Sequence, residues 1–209
     1  MQIPIFSIDI SMNVQMYPDI YVNKIMIEAV QMLSTANRLL TGTPKKCYIQ
    51  DKKGNIPRKI REIHLLEGEE LKIGIFKTIE YYKFPYLPYN FRKAYLETHI
   101  NHPWNIWARE SKLNYYYLLD LVVELNAEWQ YRFDKSVAHA SYIVACNLPY
   151  IPVGKFKTIS RTPFPICVPD KYILHPEDIE YAYQQYFIHE KQHIARWTKR
   201  SVPNWFYYI

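Results

Sequence analysis

Apolar residues recur along this chain at helical spacing in several stretches. Val22, Met26, Ala29, Val30, Leu33 and Leu40 form one stripe, with Lys24, Glu28 and Gln31 on the opposite face. That pattern predicts a helix opening at Pro18-Asp19 and closing at Gly42, where a helix C-cap belongs. Asn101 and His102 are capping residues, and Pro103 suits a first helical position, so PWNIWARE reads as a short helix. Ser111 caps a longer one, to about Phe133, that buries Leu118, Leu121, Val122, Leu125 and Trp129. SVAHASYIVACN is a third helical segment, and a last helix opens at Pro176 with the stripe Ile179, Tyr183, Tyr186, Ile194 and Trp197.

Two stretches break that period. Residues 2–10 alternate loosely and are rich in Ile and Phe, as in a short strand. Residues 43–90 carry CYIQ, DKKGN and IPRKIREIHLL, which read as a hairpin turning at Gly54. EELKIGIFKTIEYYKF adds strand character and FPYLPYN is a connector. The expected architecture is a mainly α single domain, residues 1–209, with a short N-terminal strand and a peripheral β-rich insertion at about 43–90.

Composition narrows the function classes. The chain has 209 residues, 49% of them hydrophobic, enough for a full core. A net charge of +6 suits a polyanionic partner without demanding one, and twenty tyrosines supply rings that suit half-buried grooves and can stack on bases. The three cysteines, Cys47, Cys146 and Cys167, form no CxxC pair and point to reduced thiols rather than a disulfide framework. No signal peptide and no run of transmembrane length is apparent, so a cytoplasmic location is expected.

The densest chemistry lies in THINHPWNIWARESKLN, residues 98–114. His99, Asn101 and His102 precede a helix start, and Trp107, Arg109, Ser111 and Asn114 follow within a few turns. Free backbone N–H groups beside an arginine make an anion site, with core tryptophans and capping histidines as the structural alternative. Glu124, Glu128 and Arg132 form an i, i+4, i+8 ladder of the kind usually found on a solvated face. His189, Glu190 and His193 match H-E-x-x-H, but no third ligand is marked, and neither a metal nor another cofactor is expected. Lys191, Arg196, Lys199 and Arg200, interleaved with Trp197 and followed by Trp205, read either as a nucleic-acid grip or as a helix end over core aromatics.

Several blocks in order resemble a family of small phage-encoded proteins. They are DIYVNKIMIEAVQMLSTA, THINHPWNIWARESKLN, EWQYRF, TPFPICVPD and EKQHIARWTKRSVPNWF, together most of the chain outside 43–90. Tyr21 stands where that family's pattern usually has His. The resemblance implies an amino acid:DNA transferase of thymine hypermodification, acting in the cytoplasm of an infected bacterial host. Such an enzyme joins an amino acid or polyamine to a phosphate-activated hydroxymethyl-pyrimidine in phage DNA. On that reading Lys24, Arg109 and Arg132 neutralise the leaving group and His102 accepts the amine proton. His99, Asn101, Trp107, Ser111, Asn114, Glu128 and Lys191 then bind substrate, and Arg196, Trp197, Lys199, Arg200 and Trp205 bind DNA. That reading needs Lys24, His102, Arg109, Asn114 and Arg132 to converge in one pocket. The competing reading is a non-catalytic nucleic-acid- or nucleotide-binding accessory or anti-defence protein, and a zinc hydrolase is a third.

Overall fold

Two long antiparallel helices organise the molecule. The computed structural model describes residues 2–47, 61–69 and 94–207. In it α2 (Asp19–Thr41) and α4 (Lys112–Phe133) lie side by side. Their opposite direction follows from their contacts: Asp19 meets Arg132 at one end, and Asn37 donates to the Tyr115 hydroxyl at the other. Val22, Ile25, Met26, Ala29, Val30 and Leu33 of α2 are fully buried, as are Leu118, Leu121 and Leu125 of α4. Each of these side chains except Ala29 contributes roughly 1.5–3 kcal/mol on leaving water. Around this pair pack α1 (Ile10–Met16), α3 (Pro103–Glu110), α5 (Ala140–Cys146) and α6 (Ile179–Glu190). Among the described residues the fold is mainly α with one small antiparallel sheet, as the periodicity predicts.

The caps are those the sequence marks. His102 Nδ1 accepts from the Trp104 amide to start α3, and Ser111 Oγ accepts from the Leu113 amide to start α4. Gly42 closes α2 with extended backbone rather than a left-handed turn. Its lack of a side chain is required by space, because a Cβ there would stand 2.6 Å from the Arg38 carbonyl and 2.8 Å from His64 Cβ.

The sheet pairs β1 (Thr43–Cys47) with β2 (Arg61–Leu65), Thr43 opposite Leu65 and Cys47 opposite Arg61. The turn at Gly54, the further strands expected near 70–83 and the connector at 84–90 lie outside the described residues. The block's described part, residues 43–47 and 61–69, is anchored to α2. Arg38 of α2 is fully buried and forms a two-bond pair with Glu69, at 2.7 and 3.0 Å, while bonding the carbonyls of His64 and Tyr95.

Two other expectations are corrected. Residues 2–9 form no strand, and helix α1 follows directly, capped by Asp9. Ile3, Ile5 and Phe6 are buried, but side chains replace the ladder around them. Asn13 Oδ1 accepts from the Phe6 amide, and Asn13 Nδ2 and the Tyr17 hydroxyl both donate to the Pro4 carbonyl. The last helix stops at Glu190 instead of continuing to Trp197. A 3-10 turn, Gln192–Ile194, and irregular chain follow. No described helix is long and apolar enough to cross a membrane.

Candidate functional site

The loop before α3 is held from beneath. Asn105, fully buried, donates from Nδ2 to the carbonyls of both Thr98 and His99, each at 2.9 Å. The Thr98 amide donates to Thr35 Oγ1 on α2, and Arg109 Nη1 donates to the Ile100 carbonyl at 2.7 Å. Within this frame His99 adopts left-handed backbone, φ 47°, and its exposed ring lies 2.6 Å from Thr98 Oγ1 through Nδ1. A non-glycine residue in that conformation is strained and persists only where its surroundings over-determine it. Asn101 is exposed on the same loop. Arg109 is half-buried, and desolvation lowers its guanidinium from the ordinary value.

The helix-start donors expected to bind an anion are already used. Pro103 has no N–H, His102 Nδ1 accepts from the Trp104 amide at 3.2 Å, and the amides of Asn105 and Ile106 donate to the His102 carbonyl. A neutral imidazole accepting at Nδ1 carries its proton on Nε2, so the one lone pair of His102 is engaged in capping α3, and the base role expected of it competes with that cap.

The other predicted catalytic residues do not gather here. Arg132 sits at the far end of α4, about 30 Å from Ser111 along a helix rising about 1.5 Å per residue. It is 1% exposed and bonds Glu128, Asp19 and the carbonyls of Gln15 and Tyr17. A guanidinium so enclosed is structural and meets no leaving group. Glu128, 5% exposed, is clamped by Arg132 and Arg200, so the ladder expected on a solvated face is largely internal. Burial by itself would raise the Glu128 carboxyl, but hydrogen bonds from Arg200 and Arg132 outweigh it and hold the group low. Lys24 is half-exposed, 3.9 Å from Glu28 and over the Tyr21 ring. It lies about 16 Å along α2 from Thr35, where the loop is tied. Tyr21 is buried, and desolvation pushes its phenol up to about 12, so it stays protonated.

Trp107, Ser111 and Asn114 support the loop from the core side. The Trp107 indole N–H donates to the Thr162 carbonyl, and its ring packs with Trp104, Tyr117 and Phe164. Asn114 bonds the Trp107 carbonyl and both the amide and hydroxyl of Thr162. Ser111 Oγ donates to the carbonyls of Ile159 and Ser160. All three are buried, and the substrate contacts expected of them are replaced by these bonds.

No protein-family model, no curated protein and no solved structure matches this chain. The site therefore stands on its own geometry.

The C-terminal residues are mostly engaged internally. Trp197 is 8% exposed and donates to the Met16 carbonyl, and half-buried Trp205 packs on Phe6, so both are core rather than stacking platforms. Lys199 pairs with Asp134, and Arg200 with Glu128. Exposed Arg196 lies 3.6 Å from Asp19, and Lys191 caps α6 with its ammonium over Tyr186. A shallow depression of about 380 Å³ opens between Gln192, Trp197, Val202 and Phe206 and is mainly apolar. The H-E-x-x-H residues share no helix face. His189 stacks on Tyr172 in the last turn of α6, Glu190 bonds Tyr172 and Lys171, and His193 falls in the 3-10 turn.

Sequence reasoning missed Asn105 and Thr35, which position the loop, and the cations Lys112, Lys155, Lys157 and Arg161, which flank the contact between 110–113 and 157–159. Asn105 was readable as a polar residue between two tryptophans. The partnership of residues 110–113 with 157–159 had no local signal.

Proposed function

We propose that this chain is a phage enzyme that joins an amine to an activated hydroxymethyl-pyrimidine in DNA, working at the loop of residues 98–102. The observation that carries the reading is His99: strained, exposed, and fixed by a buried asparagine and a half-buried arginine. A rigid loop that aims one imidazole outward is the preorganisation that acid–base chemistry needs. In the tautomer that donates Nδ1–H to Thr98 Oγ1, His99 keeps a lone pair on Nε2. In the reaction the amine nitrogen attacks the exocyclic methylene carbon, the carbon–oxygen bond breaks, and the phosphate leaves with both electrons. His99 takes the amine proton, and Arg109 meets the departing charge. The proton acceptor is thus His99 rather than His102. The block resemblance of residues 98–114 supplies the substrate class.

The test is direct. Purified protein is incubated with DNA carrying the phosphorylated hydroxymethyl base and a panel of amino acids and polyamines, then digested to nucleosides for mass spectrometry. The expected result is a nucleoside that has lost phosphate and gained one amine. No adduct with any donor, on DNA verified to carry the activated base, overturns the reading in favour of a non-catalytic accessory protein.

A further inference from the structure

Residues 110–113 and 157–159 meet in a short parallel seam. The amides of Lys157 and Thr158 donate to the Glu110 carbonyl, Lys112 donates to Thr158 and Leu113 to Ile159, at 3.0–3.2 Å. The seam brings together Lys112, Lys155, Lys157 and Arg161, with Arg109 one turn away on α3. Phe156 is buried between Lys155 and Lys157, so both flanking ammonium groups face solvent. None of these four cations forms an ion pair with a described carboxylate. The contrast with the C-terminal cations is sharp, since Arg196, Lys199 and Arg200 each have an acidic neighbour.

The side chains are also arranged for flat partners. The Arg161 guanidinium lies over the rings of Tyr117 and Phe164, at 4.3 and 4.5 Å from their centroids, with the residue itself exposed. Lys112 lies over Tyr116, which is 39% exposed, and Leu113 and Ile159 add exposed apolar surface at 48% and 58%. Cations without a described carboxylate partner, beside one exposed ring, are the chemistry that tracks phosphates and stacks a base. The first amides of α4 are consumed by the carbonyls of Thr158 and Ile159, so the positive character here comes from side chains and not from a helix end.

We infer that this seam is the surface that holds a DNA strand, with Lys112, Lys155, Lys157 and Arg161 on successive phosphates and Tyr116 against a base. The inference deepens the proposed function and rests on it for the choice of DNA. It also relocates the nucleic-acid contact from the C-terminal segment to the neighbourhood of the His99 loop.

The experiment is a salt titration of binding to a fluorescein-labelled single-stranded oligonucleotide, read by anisotropy. Lys112→Gln, Lys155→Gln and Lys157→Gln are combined, with and without Arg161→Gln, so that loss of the Arg161 ring contacts is separable from loss of charge. A matched control carries Lys135→Gln and Lys171→Gln, both on exposed positions away from the seam. The triple variant is expected to flatten the slope of log affinity against log salt by about 2, and the quadruple by about 3, at roughly 0.7 per contact. The control keeps the wild-type slope. An unchanged slope in folded seam variants, or equal flattening in the control, overturns the inference. Transfer to the activated mononucleotide separates the two ideas. A seam variant that loses DNA binding but keeps that activity upholds both, whereas normal seam behaviour with no transfer by any variant leaves the surface standing and removes the enzyme.

Discussion

Arg200 and Glu128 form a two-bond pair, Nε to Oε1 at 2.9 Å and Nη2 to Oε2 at 2.8 Å, that ties the C-terminal segment to the last turns of α4. The same carboxylate takes Arg132, and Arg132 reaches on to Asp19, which receives Thr198 through its amide and hydroxyl. Three parts of the chain far apart in sequence are thus closed around two carboxylates.

Glu128→Gln is expected to destabilise the protein by about 3 kcal/mol, because it leaves the fully buried Arg132 without its nearest charge. Arg200→Ala should cost less, about 1 kcal/mol, since its side chain is 30% exposed. Urea denaturation at neutral pH compares them, and equal losses would contradict the ranking. The Glu128 carboxyl is held below its ordinary 4.5. A depressed carboxylate stabilises fully above the unfolded value, and that stabilisation disappears as pH falls through the lower folded value. The acid limb of the stability curve should therefore flatten in Glu128→Gln.

Removing residues 43–90 is expected to unfold the chain rather than trim it. The excision takes away Glu69, which holds the buried Arg38 guanidinium through two bonds. Glu69→Gln alone should cost about 3 kcal/mol. Circular dichroism and a denaturant melt decide the point, and a cooperative fold in the deletion would show that the segment is peripheral after all.

His99→Ala is expected to lower transfer by about a hundredfold or more, the contribution of a positioned base, while the melting temperature holds. His102→Asn keeps a capping side chain and should retain most activity. Arg109→Ala removes a charge-assisted contact and should cost tens- to hundredfold with the fold intact. Steady-state rates on the three variants check the assignment. A dead His102→Asn beside an active His99→Ala would reverse it.

His139 caps α5 by accepting the Ser141 amide at Nδ1, while Nε2 lies 2.9 Å from Asn23 Oδ1. That arrangement needs the neutral ring, and burial lowers the imidazole below its ordinary 6.5. For such a group the folded state resists protonation, so stability is complete above 6.5 and declines as pH falls through the lower folded value. Stability at pH 5.5 should fall below that at pH 7.5 by up to about 1 kcal/mol, the worth of a cap. His139→Asn caps without titrating and should remove this component.

The helices α2, α3 and α4 were legible because periodicity and caps agree. His102, Pro103 and Ser111 punctuate the chain by local hydrogen bonding, which needs no tertiary knowledge. Helix α1 was not legible, because seven residues show too little period and Ile3, Ile5 and Phe6 imitate a strand. The end of α6 was misread because Ile194 and Trp197 stay on the apolar side after the helix has stopped. At the site, sequence supplied the loop and its histidines. Arg132 and Arg109 look equally functional as letters, and only tertiary partners separate a sealed guanidinium from a half-open one.

Asn13 concentrates the turn's hydrogen bonds in one side chain. It serves the amides of Phe6 and Ser7 and, with the Tyr17 hydroxyl it also touches, the carbonyl of Pro4. In a β-ladder the same backbone groups would be shared among many residues, and losing one would leave the rest in place. Here one amide gathers the turn between Pro4 and Ser7, while Glu28, Cys167 and Glu180 hold the segment on either side of it. A change of Asn13 to Ala loosens that turn, and with it the seat of Trp205 on Phe6. A residue near one end of the chain thereby bears on the packing of the other.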